Sequence, residues 1–153
     1  MTAPVQVRAL DWLTRNAPGS ADANPRPCMG DARMANLLER DGEVLALVDW
    51  ELAHVGNPRG DIAYHLYLDG RYAAVAGRRL GGLPDADATW RRWEERTGLA
   101  ADDRRYWEVY AATYMAITAT RAMRLDHGFE AADVEAGNPI IPDIEILLEE
   151  STT

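Results

Sequence analysis

Asp41-Gly42 stands between two short runs, Asn36 to Arg40 and Glu43 to Asp49. A tight two-residue turn needs positive φ at both central positions, and Asp-Gly adopts it readily, so the stretch predicts a β-hairpin. Val44-Leu45-Ala46-Leu47-Val48 is apolar on both faces, which predicts a strand covered on both sides. Almost everything around the hairpin has helical patterning. Pro4 to Asn16 reads as a helix with Pro4 in its first turn and Val5, Ala9, Leu10, Trp12 and Leu13 as its apolar stripe. Ala17 to Pro27, rich in Pro, Gly, Ser, Asn and Asp, reads as a loop. Asn57-Pro58 opens a helix to about Leu68, closed by Asp69-Gly70. Further helices are expected over about Ala86 to Arg96, Asp102 to Asp126 (stopped by His127-Gly128) and Asp143 to Glu150. The fold class is α+β, mostly α, with the one hairpin as its β component.

The hairpin brings polar residues together. If Arg40 pairs with Glu43, then Leu38 meets Leu45 and Asn36 meets Leu47. Asp49 then lies on the same face as Asn36, a diagonal neighbour roughly 7–8 Å away. Two side-chain oxygens at that spacing suit one hard divalent cation such as Mg²⁺. Asp31 precedes the first strand on an irregular segment, where it can reach past the metal toward a substrate. One free carboxylate beside two oxygen ligands is the requirement of phosphoryl transfer: a base for the nucleophile and a cation for the phosphates. Asp31 is also a residue type common in turns, and Asn36 and Asp49 are types that bond local backbone. The joint spacing is what favours a site.

Gly30-Asp31-x-x-x-x-Asn36, an apolar strand ending in Asp49, and Gly56-Asn57-Pro58-x-x-Asp61-Ile62-Ala63 together resemble the C-terminal lobe of the aminoglycoside phosphotransferase and choline kinase-like family. The Asp49-Trp50-Glu51-Leu52-Ala53-His54 run resembles in particular the branch found fused to or encoded near acyl-CoA dehydrogenases. The resemblance implies the C-lobe of a protein-kinase-like fold over the whole chain, residues 1–153. It also implies a phosphoryl group passing from Mg-ATP to the hydroxyl of a small-molecule acceptor. Asp31 would be the catalytic base, and Asn36 and Asp49 would hold Mg²⁺. Asp61 would prop the catalytic loop through its backbone. Arg33 would face the transferring phosphate, although a surface ion pair suits the same residue.

The chain departs from the family pattern at Met29, where the family usually has His, and at Asn57, where it usually has Asp. Only 27 residues precede Cys28, and all 16 basic residues are Arg. No phosphate-binding Lys and no glycine-rich loop is present. The N-terminal nucleotide-binding lobe is therefore expected to be absent from this chain, to be supplied by a partner chain or compensated by a homo-oligomer. The alternative is a non-catalytic remnant acting as a binding or interaction module. A metal-dependent hydrolase using the same carboxylates would need a further ligand. A net charge of −9 argues against a nucleic-acid partner. No run approaches a membrane span, no signal peptide opens the chain, and a single cysteine fits a reducing compartment. A cytoplasmic location is the expectation.

Overall fold

The computed structural model describes residues 4–127 and 136–151. Its elements, in chain order, are α1 (Val5–Arg15), β1 (Arg26–Cys28), a 3₁₀ turn (Met34–Asn36), β2 (Leu37–Arg40), β3 (Glu43–Leu47) and β4 (His54–Gly56). Four helices follow: α2 (Arg59–Ala76), α3 (Ala86–Thr97), α4 (Arg104–His127) and α5 (Ile141–Glu150). The mostly helical α+β class expected from the sequence is the one observed. The chain divides into two units, one made of its first 18 residues with everything from Arg105 onward, the other of Gly19–Arg104.

The first unit is helical. α1 buries Val5, Ala9 and Leu13, a spacing of four that lines one helix face, and packs against α5. α5 contributes Ile141 and Ile144 to this core. α4 buries Trp107, Val109, Ala111, Ala112, Thr113 and Ala116. Ile117, on the same helix, is exposed. The small residues at 111, 112 and 116 let neighbours approach closely and are fully buried. Gln6 Nε2 donates to Ala116 O at 3.1 Å and Thr120 Oγ1 at 2.7 Å. Asn138 Nδ2 donates to the same two oxygens at 2.9 and 3.0 Å. Gly128, expected to stop α4, lies outside the described residues.

The second unit carries both small sheets. β2 and β3 form the expected hairpin, with Asp41 at φ 54° and Gly42 at φ 82° in its turn. Its register differs from the expected one. Arg40 faces Glu43 and Glu39 faces Val44, but Leu38 faces Ala46 and Leu37 faces Leu47, because a bulge leaves Leu45 without an opposite residue. Asn36 belongs to the 3₁₀ turn, and its carbonyl accepts from Val48 N at 2.9 Å. The one-residue slip moves Asn36 from opposite Leu47 to opposite Val48. β3 ends at Leu47, two residues before Asp49.

Three further expectations are corrected here. β3 is exposed along its whole length, with Val44 60% accessible, so neither face is covered within the described residues. An apolar run records what a strand could bury, not whether a partner is present. The loop expected before Cys28 contains β1, which pairs antiparallel with β4, Cys28 facing His54 and Arg26 facing Gly56. Three residues with a proline among them are too short for a periodic signal. α2 runs through Asp69-Gly70 to Ala76 and ends at Gly77, which adopts the left-handed conformation at φ 67°. An interior glycine costs a helix only about 1 kcal/mol, which by itself does not end one. Asp69 is paired instead with Arg79, beyond the helix end.

α3 starts at Ala86 as expected and runs one residue past the expected Arg96. Asp85 caps it by accepting from Ala88 N at 2.7 Å, and Gly98 closes it at φ 69°. Trp90 is buried beneath it. Trp93 meets Trp90 edge-on with centroids 5.7 Å apart.

Candidate active site

The segment from Met29 to Asn36 is too short and too polar to hold itself in place. It is tied down from α2. Asp61, in the first turn of α2, accepts from Met29 N at 2.7 Å and from Gly30 N at 3.0 Å. Both carboxylate oxygens are thus spent on adjacent backbone N–H groups. A carboxylate is the one side chain that accepts at two oxygens without donating. Met29 is buried, so the loop takes its polar support at this point through the main chain. Gly30 adopts φ +77°, and a Cβ there would lie 2.3 Å from Leu52 O. Only glycine satisfies both conditions.

Asp31 is held from three sides. Its Oδ1 accepts from the Tyr64 hydroxyl at 3.2 Å. Its Oδ2 accepts from Asn36 Nδ2 at 2.8 Å and lies 2.9 Å from Arg33 Nε in an ion pair. The residue is buried, only 8% accessible. Tyr64 escaped the sequence reading, although its spacing of three from Asp61 places both on one face of α2. That shared face was the available signal.

Asn36 is buried, and its Nδ2 also donates to Asp31 O at 3.0 Å. Both partners of this nitrogen are acceptors, which fixes the amide orientation. Oδ1 is left with lone pairs that no described residue uses. Asp49 follows the end of β3 at φ 65°, a left-handed conformation that Asp tolerates better than most residues. Its Oδ2 lies 3.9 Å from Arg33 Nη2. Just beyond, the Trp50 indole N–H donates to Leu47 O at 2.8 Å, which braces the bend. The structure therefore gathers Asp31, Arg33 and Asn36 directly and links Asp49 to them through Arg33.

An amide oxygen and a carboxylate, neither hydrogen-bonded by a described residue, are donors suited to a hard cation such as Mg²⁺. Among the described residues there is no group of three or more His, Cys, Asp and Glu placed to hold a metal by themselves. The set fits an ion that keeps waters or phosphate oxygens as its remaining ligands. Cys28 adjoins the loop but is buried, and burial pushes its thiol pKa up, with the negative charge of Asp61 adding to the effect. It carries little thiolate near neutrality. His54 Nδ1 is 3.1 Å from Leu52 O, a local contact. No helix among the described residues is long and apolar enough to cross a membrane.

The phosphotransferase enzyme family model matches residues 3–114, and the chain belongs to that family. Over 97% of its length it superimposes on a protein of Ralstonia eutropha JMP134 assigned as an aminoglycoside phosphotransferase. The TM-score is 0.74 with 27% identity, and 49% of that chain is covered. The aminoglycoside phosphotransferase APH(4)-Ia, solved as a thermostable mutant with AMP-PNP and hygromycin B, shares the fold. Its TM-score is 0.59 with 20% identity, over 96% of this chain and 43% of that one. Among curated relatives, acyl-CoA dehydrogenase family member 10 of Mus musculus is 29% identical over 71% of this chain and 11% of its own length. The acyl-CoA dehydrogenase IBR3 of Arabidopsis thaliana is 37% identical over 54% of this chain and 11% of its own length. The similarity to the acyl-CoA dehydrogenase-associated branch expected from the sequence is thus found. The chain spans about half the length of its structural relatives and about a ninth of these curated ones.

Proposed function

We propose that this chain is the acceptor-side lobe of a kinase-like phosphotransferase that moves a phosphoryl group from Mg-ATP to a hydroxyl of a small molecule. The observation that carries the reading is the buried Asp31 carboxylate. Three groups orient it, beside an amide oxygen and a second carboxylate that no described residue hydrogen-bonds. Asp31 orients the acceptor hydroxyl and takes its proton as the oxygen bonds to phosphorus. Tyr64 and Asn36 hold the carboxylate in one orientation, so little reorganisation is needed at the moment of transfer. Asn36 Oδ1 and Asp49 would hold Mg²⁺, which when bound offsets charge on the phosphates. Arg33 keeps the two acidic side chains together before the metal arrives and can turn to the transferring group afterwards. Asp61 supports the loop through Met29 N and Gly30 N.

Nucleotide clamping is proposed to come from outside these 153 residues, by a partner chain or by a second copy. The absence of any lysine and the uncovered apolar hairpin support this. The test is transfer from ATP to a hydroxyl acceptor with the nucleotide-binding part supplied. Asp31→Asn, nearly isosteric and still able to bond Asn36 and Tyr64, should leave folding intact and lower kcat by about 10²-fold or more. Unchanged turnover in Asp31→Asn would remove the proposed base and leave a binding module as the better reading.

A further inference from the structure

A cleft of about 630 Å³ opens within the second unit, beside the loop that carries Asp31. Met29, Ala32 and Arg33 of that loop form part of its wall, and Arg92, Trp93 and Arg96 of α3 stand in it as well. From these residues we infer that the acceptor is an anion with an apolar body, and not a cationic amino alcohol. The inference rests on the function proposed above and names the class of molecule that site accepts.

The charges of the wall carry the argument. Arg92 and Arg96 are one helical turn apart, so their side chains rise from the same face of α3. Both are exposed, and no described carboxylate pairs with either. Arg33, the third arginine of the wall, is by contrast ion-paired with Asp31. The one carboxylate in the wall, Asp61, is spent on two backbone N–H groups. Beneath α3 the buried Arg59 adds another cation with no carboxylate partner. Its guanidinium lies 5.8 Å from the Trp93 ring centroid, and its Nε donates to Ala100 O. Among the residues that line the cleft, Arg33, Arg92 and Arg96 stand against the one carboxylate of Asp61, an excess of positive charge although the molecule is acidic.

The rest of the wall is apolar or aromatic. Leu37, Leu47 and Trp50 come from the hairpin side, and Met34 and Ile62 from the loop and α2. Such a surface suits an aliphatic body better than a polyhydroxylated one. Two guanidinium groups on adjacent turns fit the oxygens of a carboxylate or a phosphate. A molecule held there by its anionic end, with its body along the apolar wall, points its far end toward the Arg33 side of the cleft. Arg33 is itself ion-paired with Asp31 at 2.9 Å, which puts the proposed base next to that end of the cleft.

The test compares four probes of equal length on the full chain, by quenching of tryptophan fluorescence: ω-hydroxyhexanoate, ω-hydroxyhexyl phosphate, hexanediol and ω-aminohexanol. The expected result is binding of one or both anionic probes at least tenfold tighter than of the neutral and cationic ones. Whichever anion binds better names the recognised group. Arg92→Gln with Arg96→Gln should remove that preference and leave the affinity for hexanediol unchanged. Arg91→Gln, on the same helix but outside the cleft, should not. Equal or tighter binding of ω-aminohexanol, or an equal loss of anion binding in Arg91→Gln, would overturn the inference. Binding is read without nucleotide. Phosphoryl transfer and its loss in Asp31→Asn are read separately, so a failed cleft and a failed base give different results.

Discussion

At the scale of single residues, the site depends on a few side chains whose partners are main-chain atoms or other site residues. Asp61 is the clearest case, since its two oxygens satisfy Met29 N and Gly30 N. Asp61→Ala leaves both N–H groups without that acceptor and should destabilise the protein by about 1–3 kcal/mol, read by urea unfolding. Asp61→Asn keeps one acceptor oxygen and should lose less. If both variants unfold at the wild-type midpoint, Asp61 does not anchor the loop. Gly30 is constrained in a different way. Alanine there must tolerate φ +77° and a backbone oxygen 2.3 Å from its Cβ. Gly30→Ala should cost about 2–4 kcal/mol, and its thermal midpoint checks it. The roles proposed for Asp31 and Asn36 follow from type and spacing. The partnership of Asp31 with Tyr64 required the packing of α2 under the loop, which no local spacing on the loop itself conveys.

At the scale of elements, local rules worked where a short-range feature ends the element. Asp85 and Gly98 bound α3 as capping chemistry requires. Asp85→Ala removes the bond to Ala88 N and should cost about 0.5–2 kcal/mol. A loss of α3 amide protection confined to its first turn, seen by hydrogen exchange, would show the cap at work; unchanged protection would assign the helix start to packing alone. The same rules failed at Asp69-Gly70. α2 continues through Gly70, with Asp69 paired to Arg79, and stops at Gly77 in the left-handed conformation that ends many helices. The hairpin turn was legible in Asp41-Gly42, but its bulge at Leu45 was not. A bulge shifts register by one residue without any distinctive residue type, and here it decides which side chain Asn36 opposes.

At the scale of the whole molecule, the dominant fact is an apolar hairpin that nothing in the described chain covers. Leu38, Val44, Leu45 and Leu47 are exposed together, and Val55 of β4 is 74% accessible. Large apolar side chains left exposed along one hairpin point to an interaction face. With the nucleotide-clamping part proposed to lie elsewhere, Mg-ATP should bind the 153-residue chain more weakly than about 1 mM, measured by calorimetry. Tight binding that survives Asp49→Ala would overturn the metal assignment. Family membership was legible from the loop, the strand-end Asp49 and the start of α2, since their combined spacing is more specific than any one of them.

Taken alone, the sequence determined the fold class, the hairpin turn and the set of chemically competent residues. Those depend on backbone preferences and on side-chain types within a few positions of each other. Only the tertiary structure decided how the set is held: Asp61 on the loop backbone, Tyr64 on Asp31, and Arg33 between Asp31 and Asp49. It also decided that Arg92 and Arg96 stand unpaired in the wall of a cleft. Contacts between residues thirty or sixty positions apart depend on how elements pack, and packing is set by the whole chain at once.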